Sequence, residues 1–204
     1  MEIKEQNPKD LLYGLVLAGG KSTRMKMDKS VLHYYGMTQI EYAVQLLQKF
    51  CDKVFISNRK EQNDLQGHEA APQIHDQPKF SDMGPVGGIL SAMSLHPEAA
   101  WLVLACDLPF VSVNTLEKLI KERSLAKIAT AYKNAHDQLP EPLCTIWEAQ
   151  SYPLILKFVK QGTRCPRKIL INSDTQLLEP LHKNALDNIN SPEEYKQALR
   201  SIGK

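Results

Sequence analysis

A short apolar run near the start of the chain ends abruptly in two glycines. Residues 15–18 read Leu-Val-Leu-Ala, and Gly19 and Gly20 follow directly. This pattern predicts a buried strand that is followed directly by a loop, because consecutive glycines permit backbone conformations and close approaches that side chains would block. Successive N–H groups of such a loop can turn toward an anion. The stretch therefore favours folds in which a buried strand leads directly into a binding loop.

The segment after the glycines carries an excess of positive charge. Its cations are Lys21, Arg24, Lys26 and Lys29, with Asp28 as the only carboxylate. Arginine and lysine supply the bidentate and point-charge contacts that phosphates favour. Neither Gly-x-x-x-x-Gly-Lys-Ser/Thr nor Gly-x-Gly-x-x-Gly follows this strand, so it is not one of the two common phosphate loops. We interpret it as a polyphosphate cradle of another kind; an ordinary tight turn is the alternative.

Strand-like and helix-like patterns alternate along the next hundred residues. The runs at 53–58 and 101–106 predict strands, and the second is continuously apolar, which is typical of a strand buried on both faces. Apolar residues at helical spacing in 40–50 and 89–95 predict helices. This alternation predicts an α/β fold of three layers, α/β/α, around a Rossmann-like, mostly parallel sheet. Ligands of such sheets bind beyond the carboxyl ends of the strands.

The second half of the chain continues in the same way. Two strands are expected in 128–132 and 142–147, a helix in 152–159, and edge strands at 177–180 and 186–190. Ser191, Pro192 and Glu194 have the types and spacing of a helix start with a capping box. A length of 204 residues suits one domain, 1–204, with the charged residues 1–10 predicted as a flexible N-terminal tail.

Composition excludes several classes of protein. A formal net charge of +2 is too small to indicate nucleic acid, and no long basic tract is present. No apolar run is long enough to span a bilayer and the opening residues lack a signal-peptide core, so we expect no membrane association and a cytoplasmic location. The four cysteines lie far apart without zinc spacing, which predicts small buried thiols.

Polar residues follow two of the predicted strands. Asn58 ends the run at 53–58, and Asp107 comes directly after Cys106. A carboxylate at the tip of a buried strand is costly to leave unpaired, and a divalent cation is a natural partner where phosphates lie nearby. We therefore predict Asp107 as a metal ligand. The alternative is an acid that caps the next helix, although Ser112 is better placed for that role.

Several of these motifs resemble one known family. The stretch Leu17-Ala-Gly-Gly-Lys-Ser-x-Arg-Met-x-x-Asp-Lys29 resembles the signature of nucleotide-sugar-type nucleotidyltransferases, and in its details that of the molybdenum cofactor guanylyltransferases. Cys106-Asp107-Leu108-Pro109 is similar to the Cys-Asp-x-Pro of the wider class. Gly84-Pro-Val-Gly-Gly88 resembles Gly-Pro-Leu-Ala-Gly, and residues 188–194 resemble the closing Asn-x-Asn-x-Pro-Glu-Glu. Lys26 departs from the family, which usually has glycine there.

The resemblance implies a nucleotidyltransferase fold and transfer of GMP from GTP to the molybdopterin cofactor, with Mg²⁺ and release of pyrophosphate. It implies Arg24, Lys29 and Asp107 as catalytic residues and Asp107 as the metal ligand. The nucleotide-binding residues implied by the resemblance are Leu17, Ala18, Gly19, Gly20, Lys29, Asn58, Asp76, Gly84 and Asp107. Its expected partners are GTP, the molybdopterin cofactor and, transiently, other proteins of molybdenum cofactor biosynthesis.

The residues leave alternatives open. A cytidylyltransferase acting on the same cofactor differs mainly in base recognition, a sugar-phosphate nucleotidyltransferase would usually be longer, and a non-catalytic carrier module would bind without turnover. The resemblance also places the loop 133–141, with His136 and Asp137, near the second substrate. It places Gly162-x-Arg164 near the pterin phosphate. Solvated polar loops are the alternative at both places.

Overall fold

The computed structural model describes residues 11–20 and 28–202. The predicted tail, residues 1–10, lies outside the described residues, and so does the segment 21–27 with Arg24 and Lys26. Within the described part, the helices and strands follow the alternation expected from the sequence. Among the helices described, none has the length and apolar character needed to cross a bilayer.

Strands and helices alternate from Leu12 to Ile202. The strands are β1 (Leu12–Leu17), β2 (His33–Tyr34), β3 (Met37–Thr38), β4 (Lys53–Ser57), β5 (Gln73–Ile74), β6 (Ala100–Ala105), β7 (Ala129–Lys133), β8 (Pro140–Trp147) and β9 (Thr175–Leu178). The helices are α1 (Gln39–Gln48), α2 (Pro85–Leu95), α3 (Val113–Lys121), α4 (Tyr152–Lys160), α5 (Pro166–Ile171) and α6 (Pro192–Ile202).

Seven of the described strands form one sheet in the order β5-β4-β1-β6-β8-β7-β9. All neighbouring pairs are parallel except those of β8, which is antiparallel to both β6 and β7. The chain leaves β1 for β4 on one side and later returns to β6 on the other side. The carboxyl ends of β1 and β6 therefore border the point where the strand order reverses, which is the usual ligand site of such sheets.

Helices cover both faces of the sheet and confirm the predicted three layers. On one face, α1 and α3 pack their apolar residues, including Ile40 and Leu116, against the strands. On the other face, α2, α4 and α5 do the same with Ile89, Ile155 and Ile169. Every residue of β6 is buried, which explains its unbroken apolar sequence. A third cluster joins α6 to the β2–β3 hairpin.

Helix starts follow the local capping signals. Ser112 is the N-cap of α3, as predicted, and Ser191 Oγ accepts a hydrogen bond from the backbone N–H of Glu194 at 3.3 Å. Glu194 in turn accepts from the backbone N–H of Ser191 at 3.2 Å, which completes the predicted capping box of α6. These ends are fixed by neighbours in the sequence, and this explains why they were predictable.

The structure corrects three predictions and adds one helix. Residues 186–190 do not form an edge strand: the Ile189 N–H donates to the carbonyl of Asp107, in the loop after β6, at 2.9 Å. Helix α2 begins at Pro85 rather than near residue 89, because proline suits the first helical position. Helix α5 was not predicted. Cys165 is exposed and Cys51 only partly buried, so buried thiols describe Cys106 and Cys144 alone.

Candidate active site

A cleft of about 1090 Å³ opens at the carboxyl ends of β1, β4 and β6. Each predicted site residue that the structure describes lines this cleft, namely Leu17, Ala18, Gly19, Gly20, Lys29, Asn58, Asp76, Gly84 and Asp107. Arg24 lies outside the described residues. The structure thus brings together groups that are up to 90 positions apart in the chain, and their individual roles stay predictions.

The glycine loop lies against the end of β4. The Ala18 N–H donates to the Ser57 carbonyl at 2.8 Å and continues the parallel ladder one residue beyond β1. A Cβ added to Gly19 would lie 3.9 Å from the Asn58 backbone, and one added to Gly20 would meet nothing within 4 Å. Gly20 therefore presents open backbone to the cleft. This loop is the part of the cleft in which main-chain donors can approach a ligand.

Lys29 links three distant segments at the floor of the cleft. Its ammonium group donates to Asp107 Oδ2 at 3.1 Å and to Asn190 Oδ1 at 2.6 Å. The side chains of Lys29 and Asp107 are 15% and 17% exposed, so the ion pair is shielded from solvent but open to the cleft. A lysine held by two acceptors keeps a fixed position without a ligand, which is the arrangement expected of a preorganised cationic group.

The second oxygen of Asp107 is suited to a metal ion. Asp107 Oδ1 is buried and has no hydrogen-bond partner among the described residues. A buried carboxylate oxygen without a partner is costly, and hard divalent cations prefer such oxygens. The described residues contain no group of three or more His, Cys, Asp or Glu that could hold a metal alone. The donor set therefore fits an ion that takes most of its ligands from phosphates and water, as Mg²⁺ does.

The opposite wall of the cleft is formed by the start of α2. A Cβ added to Gly87 would lie 2.5 Å from the Phe80 carbonyl oxygen and 2.8 Å from Asp76 Oδ2. A Cβ added to Gly88 would overlap Ser57 Oγ. These contacts leave no space for a side chain at either position. The two glycines let the helix approach β4 and β5, and so they set the width of the cleft on this side.

Asp76 follows β5 and lies beside Gly87. Desolvation raises the pKa of its carboxyl above the usual value, and the nearby Asp82 acts in the same direction, while His75 opposes it. His75 Nδ1 lies 3.2 Å from the Asn58 carbonyl oxygen. The wall therefore offers a carboxylate and an imidazole rather than a cluster of cations, and it differs in character from the Lys29 side.

Asn58 is fixed by a buried side-chain network. Its amide nitrogen lies 2.8 Å from His68 Nδ1 and 2.8 Å from Gln73 Oε1. Its Oδ1 is buried without a partner among the described residues. His68 Nε2 lies 2.9 Å from Ser30 Oγ, next to Lys29 in the chain. Both His68 and Ser30 are 0% exposed.

A second, smaller pocket of about 410 Å³ shares Leu143 with the cleft. Arg167 binds Asp137 Oδ2 at 2.8 Å and Glu141 Oε2 at 3.1 Å in this pocket. Glu141 is buried, and burial raises the pKa of its carboxyl, although the Leu143 N–H and Arg167 oppose the shift. His136 lies in the same pocket, with Nε2 2.8 Å from Asp187 Oδ1.

The structure shows which arginine of residues 164–168 lines this pocket, while the expected place of Arg164 near the pterin phosphate stays a prediction. Arg164, the arginine singled out by the resemblance, is exposed and does not line the pocket, whereas Arg167 does. The unpredicted helix α5 places Arg167 there. The sequence had three cations in this stretch, and only the helical turn decides which one faces inward.

Other residues of the cleft had no recognisable signal. Arg59 and Lys60 line it, and Gln62 joins Ala18 to Asp28 through hydrogen bonds from Nε2 of 2.9 Å and 2.6 Å. They belong to a polar stretch, 59–80, with little periodicity. Asn190 belongs to the closing motif, which the sequence indicated mainly as structural closure with Asn188 or Asn190 as a possible ligand contact, and it does line the cleft. Their proximity to the strand ends depends on long-range packing.

Cys106 precedes Asp107 but does not contribute a reactive thiol. Its side chain is 7% exposed, and burial raises the pKa of the thiol far above its usual value. A neutral, buried thiol is a poor nucleophile. The chemistry of the cleft therefore depends on carboxylate, amide and ammonium groups.

In doubly wound α/β folds the polar groups that recognise a ligand converge where the strand order reverses, and they do so here. Fold and cleft define a protein of the nucleotide-binding α/β class. Residues 14–177 match the MobA-like NTP transferase domain. The chain belongs to this family and is a nucleotidyltransferase. The NTP transferases of this family generally use a divalent metal.

Individual relatives agree with this assignment. The chain is 40% identical over 186 residues to a molybdenum cofactor biosynthesis bifunctional protein of Synechocystis, covering 91% of this chain and 53% of that protein. It thus spans about half the length of that relative. It is 29% identical to a probable molybdenum cofactor guanylyltransferase of Nostoc, covering 90% of this chain and 88% of the relative.

Solved structures agree on the fold. A structure of molybdopterin-guanine dinucleotide biosynthesis protein A from Archaeoglobus fulgidus has a TM-score of 0.76 and 27% identity, and the match covers 94% of this chain and 98% of the other. A nucleotidyl transferase of Methanothermobacter has a TM-score of 0.75 at 17% identity, with 95% and 98% covered. The second match supports the fold alone.

Proposed function

We propose that this protein transfers GMP from GTP to the molybdopterin cofactor, forming molybdopterin guanine dinucleotide and releasing pyrophosphate. The printed names of the relatives support this assignment. The observation that carries it is the meeting of Lys29 and Asp107 beside the glycine loop, because a triphosphate needs main-chain donors, a cation and a metal-binding carboxylate together. The proposed location is the cytoplasm, with transient contact to other proteins of the same biosynthesis.

The proposed transfer of GMP does not require a side chain that acts as a general base. The acceptor phosphate is already an anion, so its oxygen can attack the α-phosphorus without a nucleophilic residue. We assign Gly19 and Gly20 to donate backbone N–H groups to the triphosphate, and Arg24 and Lys29 to neutralise its charge. Lys29 is already held by Asp107 and Asn190, so little reorganisation is needed.

Asp107 would hold Mg²⁺ through its unpartnered Oδ1. When bound, the ion polarises phosphate oxygens and neutralises the charge that develops on them. The carboxylate has a second task that needs no ion, since its Oδ2 positions the ammonium group of Lys29. One carboxylate thereby serves both positive groups of the proposed site.

The base and ribose are assigned to the opposite wall. Asn58 and Asp76 would contact them, with Leu17, Ala18 and Gly84 lining the space between. The acceptor is assigned to the second pocket, where Arg167 offers a guanidinium group to a phosphate. Support for this comes from the shared Leu143, which makes the two spaces adjacent.

The test is pyrophosphate release by the purified protein with GTP, CTP, ATP and UTP, in the presence of Mg²⁺ and molybdopterin cofactor. Turnover with GTP and not with CTP, lost in Asp107→Ala, is the expected result. Preference for CTP would instead make the protein a cytidylyltransferase. Nucleotide binding without turnover would leave a carrier module as the remaining function.

A further inference from the structure

The buried imidazole of His68 connects the two sides of the cleft. On one side it lies 2.8 Å from the amide nitrogen of Asn58, and on the other 2.9 Å from Ser30 Oγ. It lies between residues assigned to the base and the segment that carries Lys29. No sequence motif singled it out, and the proposed chemistry does not use it.

The direction of each hydrogen bond in this network follows from main-chain carbonyls. Gln73 Nε2 donates to the carbonyl oxygens of Asn63 and His68, at 3.2 Å and 3.0 Å. Gln73 Oε1 is therefore the acceptor that faces Asn58, and the group of Asn58 that faces it must be the NH₂. The amide orientation of Asn58 is thus fixed by its neighbours rather than assumed.

The same reasoning fixes the proton on His68. The second hydrogen of the Asn58 amide points at His68 Nδ1, which must accept it. A neutral imidazole that accepts at Nδ1 carries its proton on Nε2 and donates to Ser30 Oγ. The Ser30 hydroxyl then donates to Asp28 Oδ1 at 2.7 Å. Every donor in this chain of bonds has an acceptor.

The end of the network holds Lys29 from both sides. Asp28 Oδ1 also accepts from the Ser30 N–H at 3.0 Å, and Asp28 Oδ2 accepts from Gln62 at 2.6 Å. Gln62 donates in addition to the carbonyl of Ala18, before the glycine loop. The residues before and after Lys29 are thereby tied to the cleft floor, which fixes where its side chain begins.

We propose that His68, as the neutral imidazole with its proton on Nε2, is a positioning residue that aligns Asn58 with the segment Asp28–Ser30 and hence with Lys29. Its two ring nitrogens serve different sides of the cleft: Nδ1 orients the amide of Asn58, and Nε2 anchors the phosphate-side segment. Only the assignment of a base side and a phosphate side depends on the proposed function; the hydrogen-bond directions do not. Burial lowers the pKa of His68, which favours the neutral form that this geometry requires.

Two substitutions of His68 remove its two hydrogen bonds one at a time, the bond with Asn58 and the bond with Ser30. In His68→Asn the amide oxygen takes the place of Nδ1 and keeps the bond from Asn58, but the side chain is too short for Ser30. In His68→Gln the amide takes the place of Nε2 and keeps the bond to Ser30, but leaves Asn58 without its acceptor. We expect His68→Gln to raise KM for GTP about tenfold with little change in kcat, the loss typical of one buried hydrogen bond.

The other variant should show the opposite pattern. We expect His68→Asn to lower kcat about tenfold while KM stays within about twofold, because the Lys29 segment loses its anchor and the Asn58 side is kept. His182→Gln at an exposed site is the matched control and should change neither constant. Equal changes of kcat and KM in both variants would show a merely structural role and overturn the proposal, as would no change in either.

A spectroscopic measurement tests the proton position without activity. Long-range ¹H–¹⁵N spectra of the ¹⁵N-histidine-labelled protein at pH 7.5, assigned with His68→Asn, should show a neutral ring with the proton on Nε2. A ring protonated on Nδ1, or on both nitrogens, would overturn the proposal. If no nucleotide were turned over, the proposed function would fail while this spectrum still decided the state of His68.

Discussion

The two walls of the cleft are built on different physical principles. On the side that we propose for the phosphates, called the phosphate side below, Lys29 and Asp107 form an ion pair, and Asn190 accepts a charge-assisted hydrogen bond. On the side that we propose for the base, called the base side below, Gly87 and Gly88 bring a helix close to the strand ends, and neutral hydrogen bonds hold Asn58. The first wall positions charged groups, and the second determines the shape of the cleft.

This difference predicts a division of labour. Charge that meets a transferring phosphate acts mainly on the transition state and should appear in kcat. Shape and hydrogen bonding that meet the base act on the bound substrate and should appear in KM and in the choice of nucleotide. Variants of the two walls should therefore have separable kinetic effects.

The largest effect is expected from Asp107→Asn. This isosteric change keeps an acceptor for Lys29 but removes the charged oxygen proposed for the metal. We expect kcat to fall by on the order of a thousandfold, as for loss of a main electrostatic group, while KM for GTP changes little. Steady-state pyrophosphate release measures both constants. A native circular dichroism spectrum serves as the control, and a variant that retained a tenth of the activity would contradict the role of Asp107.

Lys29→Met should have the next largest effect. The methionine keeps the length and apolar stem of the side chain but removes the ammonium group, so Asp107 and Asn190 lose their shared donor. We expect a loss of about a hundredfold in kcat, within the range for one electrostatic contact. Measurement at several Mg²⁺ concentrations sharpens the comparison. A variant affected only in KM would place Lys29 on the side that binds rather than the side that reacts.

Gly87→Ala tests the base side. The added Cβ would press on the Phe80 carbonyl and on Asp76. Overpacking of this kind displaces neighbouring groups, here Asp76 of the proposed base site. We expect KM for GTP to rise about tenfold, equivalent to about 1.4 kcal/mol of binding free energy, with kcat nearly unchanged. Gly20→Ala is the matched comparison on the phosphate side. Because its Cβ meets nothing within 4 Å, we expect a smaller change in KM for GTP than in Gly87→Ala. A larger effect at Gly20 would show that bound ligand, not the protein, limits space in the cleft.

The smallest effect concerns stability in mild acid. Burial lowers the pKa of His68 from its ordinary value of 6.5, with Asp28 and Glu69 opposing the shift. Because the folded state prefers the neutral ring, this contribution to stability is fully present above pH 6.5 and is lost as pH falls from 6.5 through the lowered pKa. Urea unfolding between pH 5 and 7.5 should show a steeper loss of free energy of unfolding for the natural protein than for His68→Gln. Parallel curves would mean that His68 has an ordinary pKa.

Much of the fold was predictable because it depends on local patterns. The buried runs that became β1 and β6 and the capping residues Ser112 and Ser191 act on their immediate neighbours. The segment 186–190 was mispredicted for the complementary reason. Its apolar residues looked like a strand, yet Leu186 and Ile189 are buried without a partner strand. Burial alone does not reveal which partner a segment finds.

Some residues of the candidate site were likewise predictable from local sequence patterns, and others were not. The sequence motifs indicated Gly19, Lys29, Asp107 and the glycines of α2, since these residues adjoin strand ends and helix starts. They did not indicate His68, because its importance depends on lying between Asn58 and Ser30, which are 10 and 38 positions away. Nor could they show that Arg167, and not Arg164, lines the second pocket.

The sequence by itself determined the main alternation of strands and helices from β1 to β8, the position of the glycine loop and the identity of the charged residue after the central strand. Hydrophobic periodicity and local backbone preference suffice for these features, since both act over a few residues. Only the tertiary structure decided that Asp107 and Asn190 share Lys29, that Gly87 has no room for a side chain, and that one imidazole spans both walls. These features depend on distances between segments far apart in the chain, and packing of the whole sheet sets those distances.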